Sequence, residues 1–226
     1  MINKLNQSIL LEGGTIYDPY NNKKIKGSIL IQNGLITKAG EINPSNKMKR
    51  VDCKGKIIAP GFIDIHAHFR EPGREDKETL ATGARAAFAG GFTRVCVMPN
   101  TDPPLDTPES IRFIIEKSID LHVDIFPIGA ITIGQKGMEL TEVGEMVKAG
   151  AVAISDDGLP VQNGQVLRYA FEYAKKYGIP VINHAEDIHL RNDGVMNEST
   201  LSTRLGLPGN PDISESVMVH RDLEIS

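Results

Sequence analysis

Hydrophobic positions change their rhythm once along this chain. Over residues 8–58 they come in short runs closed by turn residues: Ser8-Ile9-Leu10-Leu11 runs into Gly13-Gly14, and Thr15-Ile16-Tyr17 into Asp18-Pro19. Two further runs, Ser28-Ile29-Leu30-Ile31 and Leu35-Ile36-Thr37-Lys38, flank Asn33-Gly34. That dipeptide tolerates positive φ and is the strongest short hairpin signal. The pattern predicts a small β-sandwich module over residues 1–59, with Ala59-Pro60-Gly61 as the boundary.

From residue 60 the chain repeats strand, loop and helix. Mostly continuous apolar runs at 62–66, 93–98, 123–128, 151–155 and 180–183 predict strands of a parallel sheet covered on both faces. Helices are predicted over 77–89, stopping at Gly90-Gly91, and from Thr107-Pro108-Glu109, a hydroxyl cap followed by proline in the first turn. Two more follow, over 142–149 and 165–177; in the latter Val166, Leu167, Ala170, Phe171 and Ala174 share one face. The alternation implies an α/β fold, an incomplete (β/α)8 TIM-type barrel with about five of its eight strands, over residues 60–226. A smaller open sheet is the alternative. Residues 219–226 read as the middle of a helix, so the chain is expected to stop before closure and to expose apolar strand edges.

The polar residues of these loops carry the chemistry. Asp64, His66 and His68 alternate along the first strand, so they share a face, and the two imidazoles converge where it ends. Phe62, Ile63 and Ile65 are expected to bury that strand. Imidazole suits a divalent ion, although two histidines alone fall short of a zinc site and also fit an ordinary core pair. Later strands end in Met98-Pro99-Asn100-Thr101, Ser155-Asp156-Asp157-Gly158 and Asn183-His184-Ala185-Glu186-Asp187. Barrel folds place their sites at these strand ends, so imidazole nitrogen and carboxylate oxygen are expected to meet around one metal centre. Asp156 and Asp157 would point opposite ways in an extended segment, and spacing does not choose between them. His122, His189 and His220 lack such a setting and read as surface or packing residues.

Composition narrows the partners. Of 226 residues, 40% are hydrophobic and 24% charged, with a net charge of −4 and the signs interspersed. No basic stripe suits nucleic acid, and no apolar run approaches the ~20 residues of a membrane helix. The first residues lack the apolar centre of a secretory signal. Cys53 and Cys96 are far apart and read as buried free thiols in a reducing cytoplasm. Tryptophan is absent and aromatics are 5%, which argues against a stacking platform for bases or sugars.

Together, Pro60-Gly61-Phe62-Ile63-Asp64-Ile65-His66-Ala67-His68-Phe69-Arg70-Glu71-Pro72-Gly73 and the three later loop motifs resemble the class I dihydroorotases, cyclic amidohydrolases of the amidohydrolase superfamily. The resemblance covers nearly the whole chain. It implies a zinc-dependent hydrolase, with one or two ions, interconverting N-carbamoyl-L-aspartate and L-dihydroorotate in de novo pyrimidine biosynthesis. It implies His66, His68, Asp157 and His184 as metal ligands and His68, Arg70 and Asn100 as substrate contacts. A guanidinium fork on a substrate carboxylate makes chemical sense for Arg70, and Glu186 would support a ligand from behind. A homodimer or association with an aspartate carbamoyltransferase is implied by resemblance only.

The family pattern continues with a further histidine ligand and an aspartate general acid/base, neither of which occurs before Ser226. The chain is therefore expected to be an N-terminal part, holding no catalytic proton carrier of its own and little or no activity alone. Hydantoinases and allantoinases are an alternative. Many use a carboxylated lysine, and residues 151–155 contain none. A non-catalytic dihydroorotase-like partner is a second alternative, but such a chain would be expected to have lost ligands.

Overall fold

The computed structural model describes residues 8–43 and 48–226, and the chain divides into two compact units after Phe62. The first contains β1 (Ile9–Asp18), β2 (Lys23–Gln32), β3 (Leu35–Gly40), β4 (Lys49–Asp52) and β5 (Ile57–Ile58). The expected sandwich module takes the form of one hydrogen-bonded sheet, ordered β3-β2-β1-β4 with β5 also on β1. A bulge between Leu11 and Gly14 interrupts β1, which pairs with β4 before it and with β5 after it. The Asn33-Gly34 turn adopts φ of 51° and 79° and joins β2 to β3 as the sequence predicts. Ile16, Ile29, Cys53 and Ile58 pack together as its core.

The second unit is the partial parallel barrel. Its sheet runs β6 (Phe62–Ala67), β7 (Phe92–Val97), β8 (Asp124–Gly129) and β9 (Ala153–Ile154), in that order. Side chains alternate across it. Val95, Val97, Ile125 and Ile154 point into the layer formed with α1 (Leu80–Ala89), α2 (Pro108–Ser118), α3 (Val143–Ala149) and α4 (Gly164–Tyr177), where Leu80, Ile111, Ile114, Met146 and Leu167 are fully buried. Met98, Ile128 and Ala153, with Cys96 and Ile182, form a smaller cluster. The helices start and stop where local chemistry dictates. Thr79 and Thr107 build capping boxes with Thr82 and Ser110, and Gly150 and Gly178 take left-handed C-caps. The Thr79 cap starts α1 at Leu80, three residues later than expected.

Two expectations need correction. The fifth predicted strand, 180–183, is reduced to a single bridge between Ile154 and Val181. Pro180 has no N–H to extend the ladder, and β9 itself offers only two residues. Phe62, Ile63 and Ile65, expected to be buried, are 61%, 55% and 67% exposed. Continuous apolar character buries a strand only where neighbours cover it, and β6 is the edge of its sheet, paired on one side by β7.

Beyond the barrel strands lie α5 (Ile188–Arg191), β10 (Met196–Asn197), α6 (Thr200–Leu205), β11 (Gly209–Asn210) and α7 (Ile213–Ile225). β10 and β11 pair in parallel. Arg221 of α7 donates to the carbonyls of Val161 and Gln162, which ties this segment to the loop after β9.

Candidate metal centre

Three strand ends converge. His66 and His68 leave β6, and Asp157 follows β9; one ligand atom of each lies within 4.8 Å of the other two. His66 Nε2 is 3.5 Å from Asp157 Oδ1 and His68 Nε2 is 3.4 Å from Asp157 Oδ2. His184 joins through the same carboxylate, with Nδ1 3.5 Å from Oδ1. The Asp157 side chain is only 11% exposed. Three imidazoles around one carboxylate, one acidic oxygen facing two rings and the other facing the third, form a donor set that fits a divalent ion.

The adjacent aspartates separate cleanly. Asp156 Oδ1 accepts from the backbone N–H groups of Ile131 (2.8 Å) and Thr132 (3.2 Å), and Oδ2 accepts from the Thr132 hydroxyl. Burial pushes its carboxyl above the ordinary aspartate value, against these hydrogen bonds, which pull the other way. Asp156 therefore pins the loop after β8, while Asp157 turns to the histidines. Asp157 N–H donates to Ser155 Oγ, which holds that turn.

The loops after β6 and β7 are locked to each other. Asp102 N–H donates to the Pro72 carbonyl (3.0 Å). A Cβ at Gly73 would stand 1.8 Å from the Asp102 carbonyl oxygen, so only glycine fits there. Phe69 is buried against Gly83 of α1. Glu71, 3% exposed, accepts from Leu80 N–H (2.7 Å) and pairs with Lys117 of α2. With residues 69 and 71 anchored, Arg70 sits between them at φ 60°, and among the described residues its guanidinium has no ion-pair or hydrogen-bond partner. Asn100 Oδ1 lies 2.8 Å from His68 Nδ1.

A cavity of about 710 Å³ opens beside His66, Asp157 and His184 and runs to β10 and β11. Its far wall carries Glu198, Asp212 and Glu215. Arg70 and Asn100 do not line it. Sequence reasoning missed this wall, and the hydrogen bonds from Ser214 to Asn210 and from Asn210 to Glu186 beside His184. The Asp187 and Ser199 caps and the Gly206 stop were the available signals. His122 lies against the Phe88 ring, at 5.3 Å between centroids, as a packing residue. Among the described residues no helix is long and apolar enough to cross a membrane.

Comparison with known proteins bears on the family and the fold. The family described as dihydro-orotase-like matches residues 55–226. The dihydroorotase of Desulforapulum autotrophicum is 46% identical over 222 residues, covering 96% of this chain and 52% of that protein. That of Solibacter usitatus is 47% identical over 219 residues, covering 96% and 51%. The chain thus spans about half the length of the curated relatives it matches. Among solved structures, an L-hydantoinase (dihydropyrimidinase) from Arthrobacter aurescens superposes with a TM-score of 0.75 at 18% identity, over 96% of this chain and 50% of that one. A dihydropyrimidinase from Brevibacillus agri NCHU1002 gives 0.74 at 18%, over 97% and 49%. The structures share the fold, and the family match over most of its residues shows that this chain belongs to the dihydro-orotase-like proteins.

Proposed function

We propose that this chain carries the metal-binding and substrate-gripping residues of a dihydroorotase, a zinc-dependent cyclic amidohydrolase interconverting N-carbamoyl-L-aspartate and L-dihydroorotate in pyrimidine biosynthesis. The observation that carries the reading is the meeting of His66, His68 and Asp157 within 4.8 Å, together with an anchored loop whose Arg70 guanidinium has, among the described residues, no ion-pair or hydrogen-bond partner. His66, His68, Asp157 and His184 would hold one or two zinc ions. Asp157 is suited to bridging two, because its oxygens face different imidazoles. A bound zinc ion supplies a water of lowered pKa and polarises the amide carbonyl.

The chain's own residues do the rest. Arg70 presents two parallel N–H donors to the substrate carboxylate. Asn100 spends its carbonyl on His68 and keeps its amide N–H groups for the same carboxylate. His68 then stands between metal and substrate. The acidic far wall of the cavity disfavours an anion there, which leaves the Arg70 side for the dicarboxylic substrate. Residues 60–226 would form the barrel part and residues 1–59 an accessory β module. The reading gives no residue of this chain the proton-transfer role.

A hydantoinase or allantoinase reading would need a different metal bridge. The segment leading into Asp157 has no lysine to carboxylate, and a substrate carboxylate explains Arg70 better than a hydantoin ring does. The test is metal analysis of the purified chain, with calorimetric titration of dihydroorotate, hydantoin and allantoin. Bound zinc and selective dihydroorotate binding are expected; a chain that takes up no metal, or that prefers hydantoin, overturns the reading.

A further inference from the structure

His184 is the most exposed of the ligands apart from His66, at 39% of its side chain, and it does not sit on a regular strand. Something else must hold its ring. Its Nδ1 faces Asp157 at 3.5 Å and its Nε2 faces Glu186 Oε2 at 3.6 Å, so the imidazole spans two carboxylates. Only Nδ1 points to the shared carboxylate, so a ligand role for Nδ1 leaves the ring proton on Nε2, facing Glu186.

Glu186 is itself fixed from the far side. Asn210 Nδ2 of β11 donates to Glu186 Oε1 (3.2 Å), and Ser214 Oγ of α7 donates to Asn210 Oδ1 (2.8 Å). Arg191 Nε stands 3.5 Å from the same Glu186 oxygen. The backbone repeats the tie: Asp187 N–H donates to the Ser214 carbonyl (2.8 Å).

We propose that Glu186 is a positioning residue for His184, holding the ring as the Nε2–H tautomer with Nδ1 turned to Asp157, and that Asn210 and Ser214 fix Glu186 in turn. This deepens the metal-site reading and rests on it for the ligand role of Nδ1. The short β10–β11 pair, which has no place in a barrel core, thereby acquires a purpose: it braces a ligand more than 20 residues earlier in sequence. A second carboxylate behind a ligating imidazole sets its tautomer, its direction and its basicity.

The experiment uses the full chain as wild type, Glu186→Gln, which keeps an acceptor without the charge, and Glu186→Ala. In the metal-free protein at pH 8, two-bond ¹H–¹⁵N NMR reads which ring nitrogen of His184 carries hydrogen, the signal being assigned by its loss in His184→Gln. Nε2–H is expected in wild type and Glu186→Gln, and a mixture of tautomers in Glu186→Ala. In a cobalt(II) titration followed by its visible absorption, Glu186→Ala is expected to weaken binding about tenfold or more, with Glu186→Gln recovering most of it. If Glu186→Ala does not fold, Glu186→Leu, which fills the same space without an acceptor, carries the same expectation. An alanine variant with the wild-type tautomer and wild-type cobalt affinity overturns the proposal. Absence of cobalt binding in wild type would instead sink the metal-site reading, and the tautomer would still judge the role of Glu186.

Discussion

Nδ1 of His68 lies 2.8 Å from Oδ1 of Asn100, at the junction of two loops that are locked to each other. An imidazole that ligates through Nε2 carries its proton on Nδ1, and Asn100 is positioned to accept that proton's hydrogen bond. On the proposed reading, Asn100 would orient a ligand as well as contact substrate. Asn100→Ala is expected to weaken metal binding by about ten- to a hundredfold and to weaken dihydroorotate binding as well. Competition against a chelator of known affinity, followed by ligand calorimetry, checks both. Unchanged metal affinity would leave Asn100 with the substrate role alone.

The neighbours Asp156 and Asp157 should fail in opposite ways. Asp157→Ala removes the carboxylate at the centre of three imidazoles and should abolish metal binding with little loss of fold stability. Asp156→Ala strands two backbone N–H groups and the Thr132 hydroxyl in the interior, at a cost of about 3 kcal/mol or more. Urea denaturation and metal analysis of the two variants should give crossed results.

Arg70 and Glu71 test the loop after β6. Arg70→Ala is expected to cost about 2 kcal/mol of dihydroorotate binding, roughly thirtyfold, while metal content stays at the wild-type level. Glu71→Ala should lower stability by about 1–3 kcal/mol, because Leu80 N–H loses its acceptor and Lys117 its partner. It should also weaken ligand binding by loosening the flank of Arg70. Calorimetry and thermal melts separate the two effects.

Cys96 should be a sluggish thiol. Burial first, and then the nearby Asp64 charge, push its pKa above the ordinary cysteine value. The folded thiol therefore stays protonated at pH values where the unfolded one has begun to ionise. Any stability tied to this difference is present below the unfolded pKa and is lost as pH rises through the folded one. Alkylation of Cys96 by iodoacetamide at pH 8–9, read by peptide mapping, should be slower in the folded chain than in urea. Equal rates would show that the thiolate is not disfavoured.

Local patterns made much of the architecture legible. The apolar runs that became β6 to β8, the Thr107 cap and the glycine stops at 150 and 178 all act within a few residues, so the local sequence contains their cause, whereas the Thr79 cap went unread and α1 begins three residues later than expected. Alternation along β6 likewise placed His66 and His68 near each other. Where burial depends on neighbours, the same reasoning failed: Phe62, Ile63 and Ile65 belong to an edge strand, and 180–183 met only a two-residue β9.

The amino-acid order by itself determined the strand–loop–helix repeat, the hairpin at Asn33-Gly34 and the set of residue types able to ligate a metal. Only the tertiary structure decided that Asp157, not Asp156, turns to the imidazoles, that Arg70, among the described residues, has no partner between two anchored neighbours, and that Asn210 and Ser214 reach Glu186. Most of these rest on groups far apart in sequence: His66 meets Asp157 across 91 residues, Lys117 meets Glu71 across 46, and Asn210 meets Glu186 across 24. They arise from how sheet and helices pack, a term that no local pattern of side chains encodes.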